Sequence, residues 1–305
     1  MLGACQFGLP YGIANRAGQP SYETARRIIA AAYEGGINCF DTAAAYGTSE
    51  EVLGQALAEL QIADKVTVVT KGVRLLDELL SEKDAEKIIT ESILRSLERL
   101  RLEILPVCLF HMEEHFRYIG TLLKLKEKGL VRCVGVSVMT PDACRSIIDS
   151  GLVEAVQVPT NVFDRRFADA GVFREAGKRG VAVFVRSVYL QGLIFLSDEE
   201  TPPELSAIIP VRRRVQSVAH EAKMSLAELA VRYVFGIPGA TSVLAGVESL
   251  EQMRQNLALL SKGPLDADLM KAVNEAVPDL PDSILMPNKW PNAPKAAEVE
   301  TRPKT

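Results

Sequence analysis

Two hydrophobic rhythms alternate along this chain. Short apolar runs rich in β-branched residues, among them INCFD, KVTVVT, EILPVCLF, VRCVGVS, EAVQVP and VAVFVRS, read as buried strands. Between them lie longer stretches whose apolar residues recur at helical spacing. SYETARRIIAAAYEGG opens on a capping serine, Ser21, and stops at Gly35 and Gly36. A second helix is expected from Thr48, which with Glu51 makes a capping-box pattern. DAEKIITESILRSLERL, IGTLLKLKEKG and the segment around ADAGVFREAGKRG continue the series. Thr140 and Pro141 supply an N-cap and first-turn pair for a helix running to Gly151. A short apolar opening, Leu2 to Phe7, precedes a Gly/Pro/Asn-rich loop through Pro20, and a long segment from Val188 to Pro210 interrupts the rhythm. Helices from Arg212 and Ser225, the strand TSVLAG and the helix SLEQMRQNLALL complete the order.

About eight strand–helix units, with no run of adjacent hairpins, predict an α/β fold. At this number the expected architecture is a single (β/α)8 TIM barrel with its active site at the C-terminal ends of the strands. A doubly wound open sheet is the alternative, weakened because no strand is followed by GxGxxG or a P-loop sequence. The barrel is expected over residues 1–280. Residues 281–305 form a Pro-, Ala- and Lys-rich tail, expected to be partly mobile and anchored in its earlier part by Trp290.

Composition narrows the function classes. With 305 residues, 48% of them hydrophobic, a large packed core is expected. A formal charge of -4 gives no basic footprint for nucleic acid, and Arg212, Arg213 and Arg214 read as a solvated helix face. Five cysteines show no metal-ligand spacing, so no metal site is expected and the thiols read as reduced core residues. There is no secretory leader and no long apolar span, which points to a cytoplasmic protein without membrane insertion. Nothing in the sequence sets an oligomeric state.

The chemistry sits at strand ends. Asp41 ends INCFD, Lys71 follows VTVVT, His111 follows ILPVCLF, and Tyr46 lies in the loop just after Asp41. Side chains at such positions face the active site of a barrel. A carboxylate, an amine, an imidazole and a phenol converging there make a proton-donating site suited to carbonyl reduction. A phenol titrating near ~10 is a poor relay at neutral pH. A neighbouring ammonium would lower that pKa, and a carboxylate would hold the lysine in place. The imidazole would orient the substrate oxygen, or share the proton at lower pH. Singly, each residue has an ordinary alternative: a cap, a loop aromatic, a solvated charge, a core histidine. Their joint occurrence in successive units is harder to dismiss.

The run FDTAAAYGTSEEVLG, followed by Lys71 and then His111, closely resembles the aldo-keto reductases, and the resemblance extends from Leu2 to about Leu260. It implies a TIM barrel that binds NADP(H) or NAD(H) without a Rossmann domain. Tyr46 would be the general acid, Lys71 and Asp41 would tune it, and His111 would orient the carbonyl. Ser137 in GVSVM and Gln157 in AVQVPTN match positions that bond the nicotinamide amide; Val138 stands where the family often has Asn and cannot make that bond. FVRSVYLQGL places Arg186 where an aromatic often stacks on the nicotinamide, with Ser187, Leu190, Gln191 and Gly192 along the pyrophosphate. LAGVESLEQMRQN supplies Gly246, Ser249, Gln252 and Asn256 for the adenosine end. Many members place Lys or Arg there for the 2′-phosphate of NADP, whereas this chain has Val247 and Glu248. A carboxylate repels that phosphate and accepts from a free ribose hydroxyl. Arg254 could compensate, so both cofactors stay open. Little chain precedes the first strand, so the hairpin common at the barrel bottom in the family is expected to be absent or truncated.

Gln6, Phe7 and Tyr11 follow the first strand, where the family lines its substrate pocket, and Asn161, Phe163 and Tyr189 would add polar and aromatic contacts. Such a mixture suits a small carbonyl or alcohol, a polyol or sugar among them. The leading expectation is an NAD(P)-dependent oxidoreductase interconverting an aldehyde or ketone and its alcohol. Two other readings remain: a non-catalytic nicotinamide-binding or structural barrel, and a barrel lyase using Lys71 as a Schiff-base nucleophile.

Overall fold

In the computed structural model, which describes residues 1–75 and 80–290, parallel strands follow one another around a barrel. They are β1 (Leu2–Gly3), β2 (Cys39–Asp41), β3 (Thr67–Lys71), β4 (Leu105–Phe110), β5 (Val131–Ser137), β6 (Ala155–Pro159), β7 (Ala182–Arg186), β8 (Ser242–Val243) and β9 (Ala245–Gly246). Neighbours in sequence are neighbours in the sheet from β1 to β8, and β9 returns to pair with β1. Only Leu244 separates β8 from β9, and its N–H donates to Val185 O at 2.7 Å. These two segments are therefore one bent stave that leaves β7 and joins β1. The expected (β/α)8 barrel is thereby all but closed.

The period-two pattern of the strands places the core on both faces. Val69, Val107, Leu109, Ala155 and Phe184 fill the barrel interior, while their strand neighbours Val68, Cys108, Val156 and Val183 pack outward beneath the helices. Cys5, Cys108 and Cys144 are buried free thiols.

Ser21, Ser225 and Ser249 cap their helices, each hydroxyl accepting from the backbone N–H three residues on. The expected box at Thr48 does not form. The helix runs over Ser49–Glu59, Thr48 makes no cap bond, and its hydroxyl accepts from Gln19 Nε2 at 3.2 Å. The helix expected from Asp84 starts earlier, at Glu82, because Ser81 caps it. ADAGVFREAGKRG divides into Arg166–Asp169 and Val172–Lys178, since Gly171 takes a left-handed φ of 72°. The helix placed at Arg212 begins upstream and spans Ile208–Glu221; Pro210 falls in its first turn, where its missing N–H costs nothing. A helix over Ala267–Ala276, capped by Asp266, was not apparent from the sequence.

Arg212 corrects the expectation of a solvated basic face. It is 1% exposed, and its guanidinium donates to Leu193 O, Thr201 Oγ1 and Asp198 Oδ1. The inward side of the helix would otherwise bury the loop's polar groups without partners, and Arg212 satisfies them. Beyond the barrel, Trp290 is buried and donates to Ile284 O at 3.1 Å. The mobile part expected of the tail lies outside the described residues. Among those residues, no helix is long and apolar enough to cross a membrane.

Candidate active site

Asp41, Lys71 and His111 leave the C-terminal ends of β2, β3 and β4, as strand order dictates. Lys71 donates to both Asp41 carboxylate oxygens, at 2.7 and 2.8 Å, and to Thr42 O at 2.9 Å. All three ammonium protons are thus used. Gln157 Nε2 donates to the same carboxylate at 2.7 Å, so Asp41 ties β2 to both β3 and β6. Burial pulls the Lys71 ammonium below the usual lysine range, and Asp41 opposes that shift.

Tyr46 reaches the cluster from a clamped turn. Ser49 Oγ donates to Ala4 O at 2.7 Å and pairs with Thr42 Oγ1 at 2.9 Å, joining the turn to the ends of β1 and β2. Two glycines permit the approach. A Cβ on Gly8 would run into the Tyr46 carbonyl oxygen, and Gly47, with φ at 55°, sits against Gly8 O. Gly8→Ala is accordingly expected to displace the Tyr46 backbone and destabilise the fold by about 1–3 kcal/mol, measurable by urea unfolding; an unchanged midpoint and turnover would disprove this clamp. Neither glycine was singled out from the sequence, although GLPYG and AYG carry the signal.

Around the phenol, Lys71 Nζ lies 5.1 Å from the Tyr46 ring centroid, and His111 meets that ring edge-on at 5.5 Å between centroids. The lysine was expected to lower the phenol's pKa. Instead burial pushes Tyr46 well above its ordinary value, with Cys5 and Asp41 adding to the shift. The Lys71 charge is already neutralised by Asp41, so its field at the phenol is small. His111 carries a second correction. Burial, together with the charges of Arg74 and Lys71, holds it well below the usual imidazole range, so it does not share the proton at lower pH. Arg74 Nη2 lies 3.0 Å from His111 Nε2. A guanidinium only donates, so Nε2 accepts and the imidazole proton is on Nδ1. Nε2 is thereby withdrawn from donating to a carbonyl oxygen. Arg74 escaped the sequence reading, its only mark being a basic residue within the apolar GVRLL.

The expected cofactor positions line one side of the barrel mouth. Ser137 and Gln157 are register partners across β5 and β6, and Arg186 ends β7 beside Pro159. Gln157 Oε1 is buried without a partner. An orphaned acceptor at that place fits the carboxamide of a nicotinamide. Val138 is buried, its N–H spent on Gln157 O. Ser187, Leu190, Gln191 and Gly192 follow on a loop in which all four have positive φ. Tyr189 on that loop donates to Asn256 Oδ1 at 3.3 Å, bringing it to the helix Leu250–Leu260. Gly246 leaves room for the Gln6 amide, which packs where a Cβ would be. Glu248 is half-buried with its carboxyl pushed up by burial, and its N–H donates to Gln252 Oε1 at 2.7 Å.

Two of the expected substrate contacts turn inward. Phe7 is fully buried in the core, because the short helix Cys5–Gly8 faces it away from the mouth. Asn161 is 1% exposed and spends its amide on Ser187 O and Phe163 N, so it braces the loop. Tyr11 remains near the phenol, close enough for each to feel the other's charge.

The aldo/keto reductase family model matches residues 1–278. The chain belongs to that family. Aldo-keto reductases are oxidoreductases that reduce carbonyls with nicotinamide cofactors. Similar relatives include the NADH-specific methylglyoxal reductase of Escherichia coli (strain K12), 25% identical over 282 residues, covering 81% of this chain and 86% of that protein. The L-galactose dehydrogenase of Arabidopsis thaliana is 29% identical over 250 residues, 76% of each chain. Among solved structures, the holo form of an aldo-keto reductase from Bacillus halodurans superposes with a TM-score of 0.73 over 92% of each chain at 22% identity, a likeness of fold.

Proposed function

We propose that this aldo-keto reductase interconverts an aldehyde or ketone and its alcohol, with Tyr46 as proton donor and acceptor. The observation that carries this is the buried Lys71–Asp41 pair set beneath the Tyr46 ring, with His111 at its edge. A bound nicotinamide supplies and accepts the hydride. Ser137 and the unpaired Gln157 oxygen would hold its carboxamide, and the Arg186 plane would lie against its ring. Tyr46 gives its phenolic proton to the alkoxide oxygen as that charge develops, and regains one from solvent. A phenol pushed up by burial stays protonated at neutral pH, which suits donation. Lys71 is saturated by Asp41 and Thr42, so it supports the Tyr46 ring by contact rather than through a hydrogen bond. The same saturation disfavours a Schiff-base role, which needs a free neutral amine.

The directions of these shifts set the pH dependence. Between about pH 6 and 9 carbonyl reduction should show no limb from His111, which is already neutral, and none from Tyr46, which is still protonated. Alcohol oxidation needs the phenolate, so its kcat should climb through the same range. Paired pH–rate profiles check this; a reduction limb near pH 6.5 would refute the assignment of a neutral His111.

For the cofactor we infer NAD(H). Glu248 has no cation within ion-pair distance among the described residues, and a dianionic 2′-phosphate beside it would be repelled. The NADH specificity of the Escherichia coli relative supports the same choice. Fluorescence titration should find NADH binding at least ~10-fold tighter than NADPH, a difference of about 1.4 kcal/mol, and Glu248→Arg should narrow it. Equal or tighter NADPH binding would reject NAD(H).

A further inference from the structure

Arg74 is a half-buried cation with no carboxylate partner among the described residues, at the place where a substrate would lie. Its Nη2 contacts His111 Nε2, and its Nε is buried with no partner. No carboxylate of the described residues forms an ion pair with it. Arg186, across the mouth, is in the same position: its bonds go to Ser187 Oγ, Val138 O and Met139 Sδ. Asp41 is the carboxylate of the cluster, and it is already engaged by Lys71 and Gln157. Asp164, whose field also reaches Arg186, is paired with Arg166 at 2.9 Å. Among the described residues, three cations, Lys71, Arg74 and Arg186, therefore face one carboxylate. Holding guanidinium groups partly out of water without an anion costs folding free energy, and no carboxylate among the described residues offsets it. An anionic ligand would.

We propose that Arg74 recognises a carboxylate on the substrate, so that the enzyme acts on carbonyl compounds whose acid group lies next to the reacting carbon or one carbon further, the 2- and 3-oxo acids and their hydroxy-acid partners. This rests on the carbonyl-reductase reading of the same site. Spacing sets the class. One imidazole, that of His111, stands between the Arg74 guanidinium and the Tyr46 ring. A carbonyl oxygen at the Tyr46 hydroxyl and a carboxylate at Arg74 would be separated by about that width, the span of a short oxo acid. Planarity sets the group: a guanidinium presents paired donors that match the two oxygens of a carboxylate. His111 accepts one Arg74 N–H and leaves Nε and the remaining donors for the ligand.

Binding and turnover separate the two layers. With saturating reduced cofactor, calorimetric titration would compare oxamate, an inert 2-oxo acid mimic, with neutral lactamide of similar size. The wild type should bind oxamate at least ~10-fold tighter. Arg74→Met should abolish that margin, and Arg74→Lys, which keeps charge but loses the fork, should restore part of it. In turnover, the ratio of kcat/KM for glyoxylate over glycolaldehyde should fall by about 30- to 100-fold in Arg74→Met, the loss expected for a charge-assisted pair. Circular dichroism would confirm that each variant is folded. If oxamate binds no better than lactamide, or if both substrates decline equally in Arg74→Met, Arg74 merely holds His111 and the proposal fails. Should oxamate bind through Arg74 while no carbonyl is turned over by the wild type, carboxylate recognition stands and the reductase reading fails.

Discussion

Tyr46→Phe should lower kcat for carbonyl reduction by about 10²- to 10⁴-fold, the range removed with a positioned general acid, while cofactor binding stays close to wild type. The Tyr46 turn is fixed by Ser49 on Ala4 O and by the Gly8–Gly47 approach, so removing the hydroxyl leaves the backbone undisturbed. The ring's contacts with Lys71 and His111 also survive, because they involve the π face and edge rather than the oxygen. What disappears is the one proton source held beside the developing alkoxide. His111 cannot replace it, being kept neutral by burial with its Nε2 accepting from Arg74. Steady-state kinetics paired with fluorescence titration measure both halves. A Phe variant with more than about a tenth of wild-type turnover would remove Tyr46 from the chemistry.

Breaking the Lys71–Asp41 pair should affect both activity and folding. The two side chains are 1% and 4% exposed, and Asp41 is bonded bidentately by the ammonium. Lys71→Met leaves a buried carboxylate with only the Gln157 amide as partner, a situation that costs about 3–5 kcal/mol. Turnover should fall too, since Asp41 no longer has its counter-ion beneath Tyr46. The double variant Lys71→Met/Asp41→Leu removes the stranded charge, so it should recover much of the stability and none of the activity. Urea unfolding of the two singles and the double gives the coupling directly. A single variant destabilised by less than about 1 kcal/mol would mean that water reaches the pair and the site is wetter than its geometry shows.

How much of this was legible beforehand depends on the range of the signal. Strand positions were readable because a parallel strand is a short β-branched run buried on both faces, and eight such runs in alternation specify a barrel. Asp41, Lys71 and His111 followed from those strands, since the last residue of a barrel strand faces the mouth. The divided final stave, with Leu244 between β8 and β9, was not readable, because the split arises from pairing with two different neighbours. Thr48 was misread as a cap because capping depends on the backbone angle at that residue, which here is set by the turn binding Ser49 to Ala4. Arg212 looked like one of three solvated charges; only the loop folded over it, with Asp198 and Thr201, makes it a buried hub. The direction of the Tyr46 shift depended on the ammonium's own partners, which lie on other strands. Arg74 belongs to the same class: its significance comes from its contact with His111 and from the lack of a carboxylate partner among the described residues, and a sequence shows neither.

Carbonyl reduction at Tyr46 with a nicotinamide as hydride source would leave a traceable hydrogen in the product. The fate of a deuterium label tests it most directly. Reduced dinucleotide deuterated at both C4 positions would be incubated with glyoxylate and a panel of neutral aldehydes and ketones, and the alcohols analysed by mass spectrometry and NMR. The account predicts one deuterium per product, on the former carbonyl carbon, with product formation reduced to a trace in Tyr46→Phe. Product lacking the label, or formed equally fast without the Tyr46 hydroxyl, would contradict it.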